Sequence, residues 1–365
     1  MAAAPWDRRL LFRQNEESVM TDIKSMLPSE LEALIVSLDE PKFRAKQIFS
    51  WLAKGVRNFG EMKNLPKSLK EKLDNVAYVS SLKLLDKRES LTDGTVKYLW
   101  SLKDENAIET VLMRYDYGST VCISSQVGCR QGCAFCASAI GGLVRNLESS
   151  EMLDEVIFTA LESGEKISRI VIMGIGEPLD NYDNVVQFLR LVNHPYGLNI
   201  GMRHISLSTC GIPSQMDALA QLDLQITLAV SLHSADDEVR SRLMPASRRA
   251  GVSELISACE RYFKKTGRRI TFEYAMIDGV NDTMAQAKAL AKAAKRVSAH
   301  INLIPLNHVP ERSFAPSGDS SISSFCKVLE DMGANFTLRR SLGGDVDASC
   351  GQLRRSSLGK STEQI

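Results

Sequence analysis

Short apolar runs alternate with amphipathic stretches along most of the chain. From residue 119 onward, the runs at 119–126, 169–174, 204–209, 225–232, 269–276 and 300–306 are rich in β-branched residues, as buried strands are. Between them, the segments 150–163, 182–193, 250–265, 283–296 and 319–332 place apolar residues at helical spacing. Strand–helix alternation predicts βα units and a parallel sheet, either doubly wound or an incomplete barrel. In both architectures functional residues lie just after the carboxyl ends of the strands.

The first hundred residues read differently. Residues 43–56 place Phe43, Ile48, Trp51 and Leu52 on a helical stripe, and Pro66 is suited to open a second helix. Residues 78–113 switch to strand-like runs with a Thr92-Asp93-Gly94 turn. The pattern predicts a small helical and β accessory domain at 1–100, a main domain at 101–353 and a tail at 354–365.

Composition narrows the function classes. Of 365 residues, 44% are hydrophobic and 24% charged, which supplies ample apolar surface to bury and excludes disorder as the main state. With 45 Lys+Arg against 44 Asp+Glu, the chain is not a uniformly basic nucleic-acid binder. The near-neutral sum hides local excess. Residues 42–72 carry nine basic against two acidic residues, and residues 242–269 carry eight against two. Each is a solvated helix face or a phosphate-contacting patch. No run approaches the ~18–20 apolar residues of a membrane span, and the N-terminus lacks an apolar targeting core, so a cytoplasmic protein is expected.

Eight cysteines are too few for a disulfide scaffold, and four fall between 122 and 136. Cys129, Cys133 and Cys136 form a C-x3-C-x2-C loop directly after the first strand of the repeating region. Three thiolates on one loop suit three corners of a 4Fe–4S cluster, with the fourth iron open to a chelating ligand. The alternatives are a zinc site completed by a distant ligand, or three buried thiols packed as small hydrophobes. Gly174-Ile175-Gly176-Glu177-Pro178 follows the next strand and offers bare backbone plus a carboxylate for a cationic amine. Ser208, Ser231-Leu232-His233 and Asn307 end three further strands, so they share the sheet edge of the cysteine loop. Cys350 lies in a Gly- and Asp-rich segment, 343–353, and reads as a nucleophilic or redox thiol. Cys122 is either such a thiol or an inert buried one. Glu109 alone would be a solvated strand residue. Cys210, Cys259 and Cys326 are expected to be structural.

The cysteine spacing, with an aromatic residue before the last cysteine, resembles the radical S-adenosylmethionine (SAM) superfamily. That resemblance implies a partial (βα)6 radical SAM barrel, a 4Fe–4S cluster on Cys129, Cys133 and Cys136, and SAM contacts at Gly176 and Glu177. SSQVGC at 124–129, GIGEPLDNYDNV at 174–185, SLHS at 231–234, INLIPLN at 301–307 and DVDASCGQL at 345–353 together look like the RlmN family of adenine-C2 RNA methyltransferases. The likeness covers about residues 30–353, and no functional position departs from the C2 pattern.

The family resemblance implies large-subunit rRNA and tRNA substrates, a reductase as electron donor, a monomer, and two SAM molecules per turnover. Cys350 takes a methyl group from one SAM. The second SAM is reductively cleaved at the cluster to a 5′-deoxyadenosyl radical, which abstracts hydrogen from that methyl group. The methylene adds to adenine C2, and Glu109 or Cys122 removes the C2 proton. Cys122 then resolves the protein–RNA adduct through a transient disulfide with Cys350. Ser208, Ser231, Leu232, His233 and Asn307 are expected to contact SAM. The alternatives are a Cfr-type adenine-C8 methyltransferase and a non-catalytic, zinc-stabilised RNA-binding protein.

Overall fold

The structure is a computed structural model and describes residues 20–353; the first 19 residues and the tail at 354–365 lie outside the described residues. The described residues open with β1 (Thr21–Asp22), followed by α1 (Pro28–Ser37), α2 (Phe43–Leu52) and α3 (Lys67–Asp74). It then returns to β1 through β2 (Ala77–Tyr78), which pairs with it in parallel. α2 buries Ala45, Ile48, Phe49 and Leu52, so the predicted stripe is real, but Phe43 at its start is 57% exposed. Pro66 caps α3, as its fixed φ and missing N–H favour.

This helical module is bound to the rest by a buried ion pair. Lys24 Nζ donates to Asp154 Oδ1 at 2.6 Å and to the Ser80 carbonyl at 2.6 Å, and both charged side chains are fully buried. Burial pushes the Asp154 carboxyl up to about 7, against the lowering effect of Lys24.

β3 (Lys83–Glu89), β4 (Val96–Ser101), β5 (Ala107–Tyr115) and β6 (Gly118–Ile123) form an antiparallel meander. β7 (Gln126–Gly128) and β8 (Leu143–Asn146) pair across the base of the cysteine loop. After these come α4 (Ser149–Ser163), β9 (Ile167–Ile172), α5 (Tyr182–Asn193), β10 (Ile205–Thr209) and α6 (Pro213–Ala220). The chain continues through β11 (Thr227–Ser231), α7 (Asp237–Leu243), α8 (Val252–Thr266), β12 (Thr271–Met276) and α9 (Met284–Arg296). It closes with β13 (His300–Pro305), α10 (Asp319–Asp331) and β14 (Phe336–Leu338).

The ten-stranded sheet runs β14-β13-β12-β11-β10-β9-β6-β5-β4-β3. β6 and β9 to β13 are the six expected strands, parallel and in sequential order, and β14 adds a parallel edge. This is the expected partial (βα)6 barrel. The meander extends it on the side of β6, where Val111 of β5 pairs with Cys122. The boundary expected at 100/101 therefore falls inside the sheet: Ser101 ends β4 and pairs with Ala107 of β5. An unpaired β6 edge would expose its backbone groups, and the meander covers it.

Candidate active site at the strand ends

The cysteine loop leaves β7 at Gly128, whose φ is +76°; a Cβ there would collide with the Gly142 carbonyl. Cys129 N donates to that carbonyl at 3.1 Å, Ala134 N to Leu243 O at 2.8 Å and Cys136 N to Cys133 O at 3.2 Å. The three thiols therefore line one wall of a cavity of about 170 Å³ at the strand ends. Burial pushes Cys129 up to about 12 and Cys133 well above the usual thiol range, and the neighbouring cysteines add to both. A cationic iron centre would reverse this, because a bound metal deprotonates its thiols. Among the described residues no three His, Cys, Asp or Glu side chains converge on a point where one ion would sit. Three thiols lining one cavity from one short loop are a ligand set for three irons of a 4Fe–4S cluster.

Across the cavity, Gly174 and Gly176 press the 174–178 segment against the end of β6. A Cβ at Gly174 would lie 2.7 Å from Ile123 O, and one at Gly176 (φ +111°) 2.6 Å from Gln126 Cβ. This turn aims Glu177 inward, where it is 3% exposed. Its carboxylate accepts from Thr209 Oγ1 at 2.7 Å, Cys210 N at 2.7 Å and Leu179 N at 3.0 Å, while Gln126 Oε1 accepts from Glu177 N at 2.9 Å. Burial raises this carboxyl and the three donors oppose the shift. The Cys210 side chain adds to these contacts, and the carboxylate lines the cavity as a counter-charge for an ammonium group.

Ser208, Ser231, His233 and Asn307 line the same cavity, as expected. Ser208 Oγ and Ser231 Oγ are 3.4 Å apart. Burial pushes His233 down to about 3, so it is neutral; its Nδ1 accepts from Ala275 N at 2.9 Å, which assigns the ring proton to Nε2. Phe135 of the cysteine loop packs edge-on against this ring at 4.9 Å. Leu232 does not join them: its side chain is fully buried in the main core. Side chains alternate along the strand end, so Ser231 and His233 face the cavity while Leu232 faces away.

Cys350 lines this cavity and also a second one, shared with Cys122, Val111, Met113, Tyr115 and Arg339. Two cysteines far apart in sequence thus meet in one space. The 343–353 segment is held from several sides. Gly343 N donates to Asp93 Oδ2 at 2.8 Å, Asn307 Nδ2 to Cys350 O at 3.0 Å and Ala137 N to Gly351 O at 2.8 Å. Cys350 is solvent-accessible through the cavity, yet the protein packed around it raises its thiol, with Arg339 acting against that rise. Burial pushes the Cys122 thiol up as well. Both are free thiols.

Glu109 does not line either cavity. It stands on the face of β5 that carries Val111 and Met113. Lys97 Nζ lies 3.5 Å from its carboxylate and donates to Asp347 O at 3.2 Å. Glu109 is therefore buried beneath the Cys350 loop.

Cys259 is buried in the core, as expected, and Cys326 packs against it. Cys210 departs from the structural role assigned to it: it lines the cavity and its backbone holds Glu177. Sequence reasoning passed over Gln126, Thr209, Glu273 and Arg240. Arg240 is buried, donating from Nη2 to Cys210 O at 2.6 Å and from Nε to Leu232 O at 3.1 Å. Its place in SLHSADDEVR, one helix after the strand end, carried no distinct signal.

The basic segments are partly neutralised. Arg57 packs on the Phe158 ring and donates to Leu82 O, Lys72 pairs with Glu40, and Arg261 makes a two-pronged contact with Asp217. Lys46 over Tyr196 and Lys54 over Trp51 leave cation–aromatic pairs on α2 and its flank.

The Radical SAM superfamily model matches residues 123–291, and the ribosomal RNA large subunit methyltransferase N-terminal domain model matches residues 21–79. The probable dual-specificity RNA methyltransferase RlmN of Lachnoclostridium phytofermentans is 50% identical over 344 residues, 94% of this chain and 97% of that protein. The protein of the same name from Clostridioides difficile is 49% identical over 333 residues, 91% of this chain and 97% of its own. A crystal structure of a radical SAM methyltransferase from Sphaerobacter thermophilus superposes with a TM-score of 0.87 at 40% identity, covering 92% of this chain and 99% of that one. With the cysteine loop and the glycine–glutamate turn inside the superfamily match, and a relative 50% identical over 94% of the chain, the chain belongs to the RlmN family of radical SAM proteins.

Proposed function

We propose that this protein methylates adenine at C2 in large-subunit rRNA and tRNA, through an S-methylcysteine on Cys350. The observation that carries the reading is the position of Cys350, which lines both the cavity of the three cluster cysteines and the cavity of Cys122. The names of its relatives, dual-specificity RNA methyltransferases, support it.

In this reading Cys129, Cys133 and Cys136 hold the 4Fe–4S cluster, and Gly176 and Glu177 bind the SAM amino group. Ser208, Ser231, His233 and Asn307 bind the rest of SAM. The cluster, when bound, supplies the electron that cleaves SAM. Adenine C2 carries no acidic hydrogen, so a direct polar methyl transfer is unavailable and a cysteine carrier solves the problem. The Cys350 thiolate takes a methyl group from SAM, releasing S-adenosylhomocysteine. The methyl carbon gives up one hydrogen atom to the 5′-deoxyadenosyl radical from the second SAM and bonds to C2, and the C2 proton and one electron then leave. Cys122 attacks the Cys350 sulfur, the C–S bond breaks, the released carbon takes up a proton to become the product methyl group, and a Cys122–Cys350 disulfide forms. Two electrons from a reductase reopen it. Removal of the C2 proton falls to Glu109 or Cys122. Glu109→Gln separates the two, since accumulation of adduct with normal Cys350 methylation assigns the step to Glu109. Among the described residues no helix is long and apolar enough to cross a membrane. Ribosomal RNA and tRNA as substrates support the reading of a cytoplasmic protein, and the reading takes it as a monomer.

The test is to incubate reconstituted enzyme, SAM and reductant with bacterial rRNA and tRNA separately and to analyse the nucleosides. 2-Methyladenosine in both is expected. 8-Methyladenosine alone would identify a Cfr-type enzyme, and a colourless zinc protein without activity would identify an RNA-binding protein.

A further inference from the structure

Glu273 sits in β12 and lines the cysteine cavity, 4% exposed. One of its carboxylate oxygens, Oε1, accepts from Asn302 Nδ2 at 2.9 Å, from the neighbouring strand. The other, Oε2, is buried and has no hydrogen-bond partner. Arg339 Nη1 lies 4.0 Å from it, close enough for charge attraction and too far for a hydrogen bond. Burial raises this carboxyl, with Arg339 and Asn302 acting against the rise. In either protonation state Oε2 needs a partner, because a buried polar atom left unpaired is costly. Glu177 in the same cavity shows the contrast, with three protein donors on its two oxygens. Glu177 is tied to the fold, whereas half of Glu273 is left for a ligand.

We propose that Glu273 is a ligand-binding residue whose Oε2 pairs with a hydroxyl or amine of an adenosine group held in this cavity. The inference rests on the proposed function, in which two adenosines enter the site, one in SAM and one in the RNA. Both offer the donors that Oε2 lacks: the SAM adenosine two ribose hydroxyls and an exocyclic amine, the RNA adenosine its 2′-hydroxyl and the amine. Glu273 pairs in register with Ser231 on one side and Asn302 on the other, so its carboxylate lies level with the polar strand-end groups and is held rigidly.

The experiment uses cluster-loaded full-length protein carrying Glu273→Gln or Glu273→Asp. Gln keeps the shape and removes the charge; Asp keeps the charge and withdraws it by one methylene. Binding is measured in two arms, SAM by equilibrium dialysis without RNA, and a tRNA stem-loop by filter binding with and without its target adenine. A loss of about tenfold or more in one arm is expected, the size of a hydrogen bond to a charged group. Loss confined to the SAM arm assigns the SAM adenosine; loss confined to the adenine-containing stem-loop assigns the target. Wild-type affinity in both arms, for either variant that retains its iron, overturns the inference. If neither variant retains iron, Asn302→Leu with unchanged binding in both arms overturns it, because Oε1 then loses the partner that positions Oε2. Wild-type protein that binds no SAM would instead defeat the proposed function.

Discussion

Removing one buried cation tests how the helical module is held to the barrel. In Lys24→Met, Asp154 keeps its burial and loses its counter-ion, and the Ser80 carbonyl loses a donor. Breaking a buried pair from one side costs about 3–5 kcal/mol. Typical domains are stable by about 5–15 kcal/mol, so this is a large share of the whole. The penalty depends on pH in a defined direction. Asp154 has a raised pKa of about 7 in the folded protein, against about 3.9 in an unfolded chain. A carboxyl raised in this way contributes stability that is present below the unfolded value and lost as pH climbs through the folded one. Without Lys24 the folded value moves higher, so the loss continues above pH 7. The gap between variant and wild type then widens by up to about 1.4 kcal/mol per pH unit. Urea unfolding at pH 6, 7 and 8 measures it. A gap under about 1 kcal/mol at pH 8, or one that does not change with pH, would refute the reasoning. Asp154→Leu added to Lys24→Met should recover most of the loss, since no uncompensated charge remains.

Three further outcomes are expected. Gly176→Ala places a Cβ 2.6 Å from Gln126 in a left-handed backbone, so the turn shifts and SAM affinity falls, measured by dialysis, while iron content stays at the wild-type level. Thr209→Val removes one donor from the Glu177 carboxylate, a charge-assisted bond of about 1.5–3 kcal/mol, and should weaken SAM binding without altering RNA affinity. Asp93→Ala frees the Gly343 amide at the base of the Cys350 loop and should speed iodoacetamide labelling of Cys350, followed by peptide mass spectrometry.

Much of the barrel was legible because its strands are buried on both faces and its long helices are amphipathic. α4, α5, α9 and α10 begin and end within two residues of their expected limits. α1, α6 and α7 escaped because each is ten residues or fewer and shows a short apolar stripe. β7 and β8 escaped because they are three and four residues long and hold the loop mainly through backbone pairing. In the site, the thiol loop and the glycine–glutamate turn are local, so spacing carries them. Glu273 is not: in TFEYAM it reads as an ordinary alternating polar position, and its inward direction follows from barrel curvature that periodicity does not encode. Cys122 and Cys350 were paired only through the family resemblance, because their meeting depends on the C-terminal segment folding back over the open side of the sheet.

The central claim is that Cys350 carries the methyl carbon and Cys122 releases the product. Its most direct test is intact mass and peptide analysis of Cys122→Ala protein isolated with its RNA. The Cys350 peptide should carry an RNA fragment joined through one carbon to adenine. An unmodified Cys350 peptide, from protein that still forms 2-methyladenosine, would contradict the account.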